Sequence, residues 1–369
     1  MLRAFWRRLG RDAEVEIAHA TWPARALAGY AALQRHFALP DGASFREHAP
    51  ALPTDQRYAY LWPFSQAWMA ALDLAAYTGD RAALAQARRL HESFFAHYWD
   101  SAAVPPSGAA YPVSAGGGDV YYDDNAWIGL ALVRLAQLDD DHRALTDAAR
   151  VFTFVASGWD DDASHPAPGG VLWTLAASNH SRDRNTCSNG PGAQLGLALA
   201  ELARDRRAHD AGRRMYAWAE ATLRDPADGL YWDHIKRDGT IERTKWSYNQ
   251  GSMLGAATLL AELAGEPTLL DRARALGEAA VAHYAAGDRL WAQDPAFNAI
   301  FFDNLHTLGV ALERHDFYLP LLTAYAERAW AGREPRTNLC HFGQRGRVDL
   351  LTQSAAVRIF ALLAGFGDR

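Results

Sequence analysis

The sequence predicts an all-α fold of the (α/α)6 toroid class, with six inner helices wrapped by six outer ones. Three observations lead there. Strand-like alternation is scarce, while alanine- and leucine-rich helical stretches recur throughout the 369 residues. Six of those stretches are almost free of charge, and a helix without a polar face must be buried all round. The six recur at intervals of roughly 50–65 residues, enough for a helix pair and a loop, and ordinary amphipathic helices alternate with them. A solenoid of helical hairpins competes with this architecture, but its hairpins would not each need a charge-free member. Hydrophobic residues make up 49% of the chain, ample to fill such a core as one domain over 1–369.

In chain order, the first inner stretch is "FSQAWMAAL", directly after Pro63. The second, "DNAWIGLALV", starts at Asp124 and meets no further charge until Arg134. "NGPGAQLGLALA" runs from Asn189 to the charge at Glu201, and "YNQGSMLGAATLLA" from Tyr248 to Glu262. "DNLHTLGVAL" is read as starting at Asp303, and "DLLTQSAAV" at Asp349. The outer partners carry normal polar faces, among them "DRAALAQARRLHESFFAHYW", "DHRALTDAARVFTFVA" and "DRRAHDAGRRMYAWAEATL". Gly129, Gly196, Gly251, Gly255 and Gly309 fall inside inner stretches. Glycine there costs about 1 kcal/mol relative to alanine, so close helix approach is the expected compensation.

Composition excludes several functions. The net charge is −6, and the arginines are dispersed among acids, so no nucleic-acid face is indicated. No stretch reaches membrane-span length, and no signal-peptide pattern follows the basic start, so the expectation is a cytoplasmic chain. Cys187 and Cys340 are too few and too far apart for a disulfide framework. No zinc spacing, P-loop or dinucleotide fingerprint occurs, so neither metal nor cofactor is expected.

In a toroid the inner helices run parallel, and the segments entering them meet at one mouth. Those segments are rich in aromatics, amides and carboxylates, and the long loops 99–122, 158–188 and 225–245 precede inner helices. "VYYDDNAW" stands out, because Asp123 and Asp124 are framed by aromatic rings and enter a charge-free helix. Acids also favour the first turn of any helix, so cap and catalytic pair both stay open at this point. The acidic runs at Asp139–Asp141 and Asp160–Asp162 lack the aromatic frame and read as caps or solvated turns. Tryptophan is enriched, with 13 copies. Trp68, Trp218 and Trp330 fall inside helices and read as packing, whereas Trp62, Trp127, Trp173, Trp232 and Trp246 fall at the mouth. Rings for C–H faces and amides for hydroxyls are what a sugar requires. The expected wall is therefore Trp62, Tyr122, Trp127, Trp173, Trp246 and Tyr248, with Asn125, Asn189, Asn249 and Gln250 as hydrogen-bonding groups. His180, His234, His306 and His341 are further mouth candidates.

"YYDDNAW", "SNGP" at 188–191 and "WSYNQG" at 246–251, in this order and at inner-helix starts, resemble glycoside hydrolase family 76, the endo-α-1,6-mannanases. The resemblance covers essentially the whole chain. It implies an (α/α)6 fold and metal-free, retaining hydrolysis of α-1,6-mannosides in an oligosaccharide or polysaccharide, to which the missing signal-peptide pattern adds a mannosylated lipid as a candidate substrate. It also implies Asp123 as nucleophile and Asp124 as general acid/base. A sugar epimerase related to the N-acylglucosamine 2-epimerases would share the toroid but rely on mouth histidines such as His180, His234 and His306. A glycan-binding protein without catalysis would not need the aspartate pair.

Overall fold

The computed structural model describes residues 21–175, 182–265 and 267–366. Twelve α-helices occur among the described residues: α1 (Trp22–Phe37), α2 (Leu61–Thr78), α3 (Arg81–Ser93), α4 (Tyr122–Asp139), α5 (His142–Ser157), α6 (Thr186–Ala203), α7 (Arg206–Thr222), α8 (Ser247–Ala264), α9 (Pro267–Ala285), α10 (Pro295–Ala311), α11 (Leu319–Ala331) and α12 (Leu350–Ala364). The even-numbered helices form the inner ring. Each packs on the next, and α12 packs back on α2 to close the toroid. The odd-numbered helices cover them from outside. No described helix is long and apolar enough to cross a membrane.

The two ends of the ring are built differently. At one end, two-residue turns join α2 to α3, α4 to α5 and α6 to α7. The first residue of each turn is left-handed (Gly79, Asp140, Arg204), and the second is an aspartate. Asp80, Asp141 and Asp205 then accept the free N–H groups of the outer helix, which is the usual N-cap. Long loops fill the other end. His48–Ala49 pairs with Val348–Asp349, tying the first of these loops to the start of α12.

The inner glycines mark close approaches. A Cβ at Gly196 would stand 2.7 Å from the Ala208 carbonyl oxygen on α7, and one at Gly251 would stand 2.8 Å from the Phe301 Cα on α10. Either position admits only hydrogen.

Two sequence boundaries move. The fifth inner helix begins at Pro295, with Asp294 as its cap, and not at Asp303. Asp303 therefore lies two turns below the mouth, correcting its expected place at the opening. Likewise α6 begins at Thr186, three residues before Asn189. The inner helices are also not free of charge at depth. Arg358 donates to Asp73 (2.8 Å), to Gln66 (2.7 Å) and to Asp303 (3.3 Å), and Arg134 approaches Asp73 at 3.9 Å. Opposite charges on facing inner helices neutralise one another inside the ring.

An amide recurs at the fourth helical position of five inner helices: Asn125, Asn189, Gln250, Asn298 and Gln353. Asn125 accepts from the Gly108 N–H and donates to the Gly108 and Tyr121 carbonyls. Asn189 does the same with Val171 and Asn185, and Gln250 with Tyr231 and Trp246. Each side chain thus behaves like one residue of a neighbouring strand and staples the incoming loop to the first helical turn. These three amides are fully buried and their hydrogen-bonding capacity is spent on backbone. Their expected role as sugar ligands is corrected accordingly. They hold the mouth loops in place from below.

Candidate active site

The amide register fixes which residues look upward. With the fourth position stapled, the second and third positions face the mouth. They contribute Trp62 and Pro63 from α2, Asp123 and Asp124 from α4, Cys187 from α6, Tyr248 from α8, Phe297 from α10 and Leu351 from α12 to one cavity of about 910 Å3. Loop residues form its sides: Tyr60, Tyr111, Asp119, Tyr121, Trp173, Asp183, Asp233 and His234 among them.

Of the expected wall, Trp62, Trp127, Trp173 and Tyr248 line this cavity. Trp127 sits at its base, 6% exposed. Tyr248 stacks on Phe297 at 4.0 Å, and Trp62 packs on the same ring at 5.8 Å. Tyr122 does not line the cavity. It is buried against Phe154 at 4.7 Å, and its neighbour Tyr121 takes the place. Trp246 is the residue before α8, and its ring meets Phe297 edge-on outside the lining. Trp232 lies under the Arg243 guanidinium, also outside it. Asn249 is buried and donates to Asp233 (3.2 Å), so it supports the wall without forming it. Among the histidines, His234 lines the cavity. His306 lies low on α10 between Tyr77 and Tyr318, His341 lies outside the lining, and His180 is outside the described residues. Trp68, Trp218 and Trp330 are buried, as expected of packing residues.

Phe297 lies upstream of Asp303, where the charge pattern alone starts this helix, and so carries no mark of the mouth. The Asp294-Pro295 pair, a cap followed by proline in the first turn, was the available signal. Asp233, from "YWDHIK", lies in a loop whose only visible mark was its length.

The two aspartates occupy the second and third positions of α4, after an N-cap residue, Tyr121, that makes no side-chain cap. Burial pushes the Asp123 carboxyl up to about 6. The Cys187 thiol, the backbone N–H groups of Asp123 and Asp124, and the Trp173 indole oppose that rise by stabilising the anion. One Asp123 oxygen, Oδ1, is buried and keeps no hydrogen-bond partner. Asp124 is raised well above the ordinary carboxylate range, by burial first and by the neighbouring Asp123 charge second. No donor offsets it. Of the two, Asp123 is the more readily ionised and Asp124 the one that holds its proton longer. A carboxylate beside a carboxylic acid, facing a cavity walled with aromatic rings, suits attack on one side of an acetal and proton delivery on the other.

The sequence model of glycosyl hydrolase family 76 matches residues 34–364. The chain belongs to glycosyl hydrolase family 76. Family 76 proteins similar to it include a Bacteroides thetaiotaomicron mannosidase, at TM-score 0.83 and 22% identity over 94% of this chain and 98% of that one. Another is the α-1,6-mannanase of Salegentibacter sp., at TM-score 0.77 and 24% identity over 93% and 99%. That enzyme is seen with α-1,6-mannotriose in an inactive variant that has two consecutive aspartates replaced by asparagine. At these identities the likeness shows the fold, a helical toroid. The mannan endo-1,6-α-mannosidase of Candida glabrata is 29% identical over 167 residues, 42% of this chain and 36% of that protein. The chain thus spans about a third of that relative's length.

Trp173 offers a test of the wall. It packs on Tyr121 at 5.2 Å and lines the cavity. Trp173→Ala is expected to weaken the binding of an oligosaccharide that fits the cavity by about 1–3 kcal/mol in calorimetry, as loss of an aromatic anchor does. Trp173→Phe should keep most of that affinity. Unchanged affinity with a lowered melting temperature would make Trp173 a packing residue.

Proposed function

We propose that the chain is a retaining hydrolase of α-1,6-mannosidic linkages in mannan or in a mannosylated oligosaccharide or glycolipid. The observation that carries the reading is the split pair. Asp123 sits among donors that favour its anion, while Asp124 has none and its acid form is favoured. Asp123 attacks the anomeric carbon with its carboxylate, and Asp124 gives its proton to the departing oxygen. A β-linked glycosyl ester on Asp123 results. Asp124, now a carboxylate, takes a proton from water as the water attacks the same carbon, and the α configuration returns. Support comes also from the Salegentibacter mannanase, inactive when two consecutive aspartates are replaced.

Digestion of an α-1,6-linked mannotetraose, followed by proton NMR, tests this. Shorter mannosides should appear with the α anomer first, before mutarotation. First appearance of the β anomer would exclude double displacement at this pair. A chain that leaves the tetraose intact, alongside α-1,2- and α-1,3-linked controls, would exclude the mannosidase reading itself.

A further inference from the structure

The mechanism leaves one cluster in the cavity wall unused. Arg184–Asn185 pairs with His234–Ile235, which pairs in turn with Ile241–Glu242. This small sheet brings Asp183 and Asp233 to either side of the His234 ring. Nδ1 lies 3.0 Å from Asp233 Oδ2, and Nε2 lies 3.9 Å from Asp183 Oδ2. Asp233 is fixed from its other oxygen by Asn249 of α8, at 3.2 Å. All three side chains line the sugar cavity and are only 13–16% exposed. We infer that His234 is a positioning residue: its ring clamps Asp183 and Asp233 to the cavity wall, and so governs how tightly a mannoside is held and not how fast it is cleaved. The inference rests on the mannosidase reading above.

The charges around the ring decide its sign. Asp233 precedes it in the chain, Asp183 faces it from the preceding loop, and Glu242 sits opposite it on the paired strand. Lys236 is the nearby cation, and Asn249 of α8 behind Asp233 is neutral. Burial disfavours the imidazolium, but Asp233 and then Asp183 outweigh it, and the His234 pKa is raised. In the charged form the ring neutralises two carboxylates that would otherwise repel across a half-buried wall. As pH rises through the folded-state pKa, the cation is lost and the carboxylates separate. Affinity should therefore fall with rising pH. Asp123 and Asp124 are outside the clamp, so turnover should follow their own titration.

Steady-state kinetics of the full chain on α-1,6-linked mannotriose, from pH 5 to pH 9, test the clamp. Wild type is expected to show a KM that climbs about tenfold across this range. His234→Gln should raise KM by about 5–20-fold at the acid end and flatten its pH dependence, with kcat changed less than about threefold. His234→Lys, a permanent cation, should restore a low KM with no dependence on pH. If the KM profile of His234→Gln keeps the wild-type slope, the clamp is wrong. Equal losses in kcat and KM together with a lowered melting temperature would also overturn it, since they mark a structural role. A wild-type chain inert toward mannotriose would instead overturn the mannosidase reading, and this inference with it.

Discussion

Asp124→Asn is expected to divide substrates by their leaving groups. Cleavage of an α-1,6-mannoside should fall by about 10²–10⁴-fold, because a sugar alkoxide cannot depart without a proton. An aryl α-mannoside with an acidic phenol needs no such proton, so its first step should survive. The glycosyl ester would then accumulate for want of a base, and a burst of phenol should precede slow turnover. Azide, which attacks without general base help, should restore turnover and yield the glycosyl azide. Asp123→Asn should abolish both reactions and resist azide at that level. The pH profile adds a second reading. On the proposed mechanism activity requires Asp123 ionised and Asp124 protonated, so wild type should give a bell. Its acid limb should lie well above the ordinary aspartate range, because burial raises Asp123 to about 6. Asp124→Asn should lose the alkaline limb of the aryl reaction. Full activity in both variants would reduce the pair to first-turn acids of α4.

Arg358→Met should give the largest loss of stability. Arg358 is 4% exposed and satisfies Asp73, Gln66 and Asp303 across three inner helices. Its removal leaves Asp73, 2% exposed, buried beside Asp303 with only the Arg134 guanidinium, 3.9 Å away, to offset its charge. Breaking such a network by deleting one partner costs about 3–5 kcal/mol. Urea unfolding at pH 7.5 should record that loss. The sign with pH follows from Asp73, which burial raises above its unfolded value. The folded variant binds a proton that the unfolded chain does not, so the deficit should shrink as the pH is lowered toward 5. A deficit below about 1 kcal/mol, or one that grows on acidification, would mean that the network is not what holds the ring together.

The ring itself is legible from charge patterning, because burial on all sides keeps long stretches of each inner helix free of charge. The pattern misled where charges cancel. Asp303 reads in the sequence as a helix start, although it is an interior residue neutralised by Arg358. Pairing of that kind joins residues 55 positions apart, and no local window contains it. The aspartate pair and four of the six expected aromatics were placed correctly at the mouth. The amides were not, since "SNGP" and "YNQG" carry no mark that separates an amide aimed at sugar from one aimed at backbone. The separating information is register. Asn125, Asn189, Gln250, Asn298 and Gln353 all stand four residues after a helix's N-cap. That position is turned onto loop or backbone, while one or both of the two before it line the cavity. Asp183, Asp233 and His234 depend on a three-stranded sheet whose strands are two residues each, too short for any alternation to register.

On the proposed mechanism Asp123 bonds covalently to the sugar. That bond is tested most directly with an α-1,6-linked mannobiosyl fluoride carrying fluorine at C2 of the reacting ring. Fluoride leaves without acid, and the C2 fluorine slows release of the ester, so the intermediate should persist. Intact-mass spectrometry should show one fluoromannobiosyl unit per chain, and peptide mapping should place it on Asp123. Asp124→Asn should still be labelled and Asp123→Asn should not. A label on another carboxylate, such as Asp233, or turnover of the fluoride with inversion and no label at all, would contradict the account.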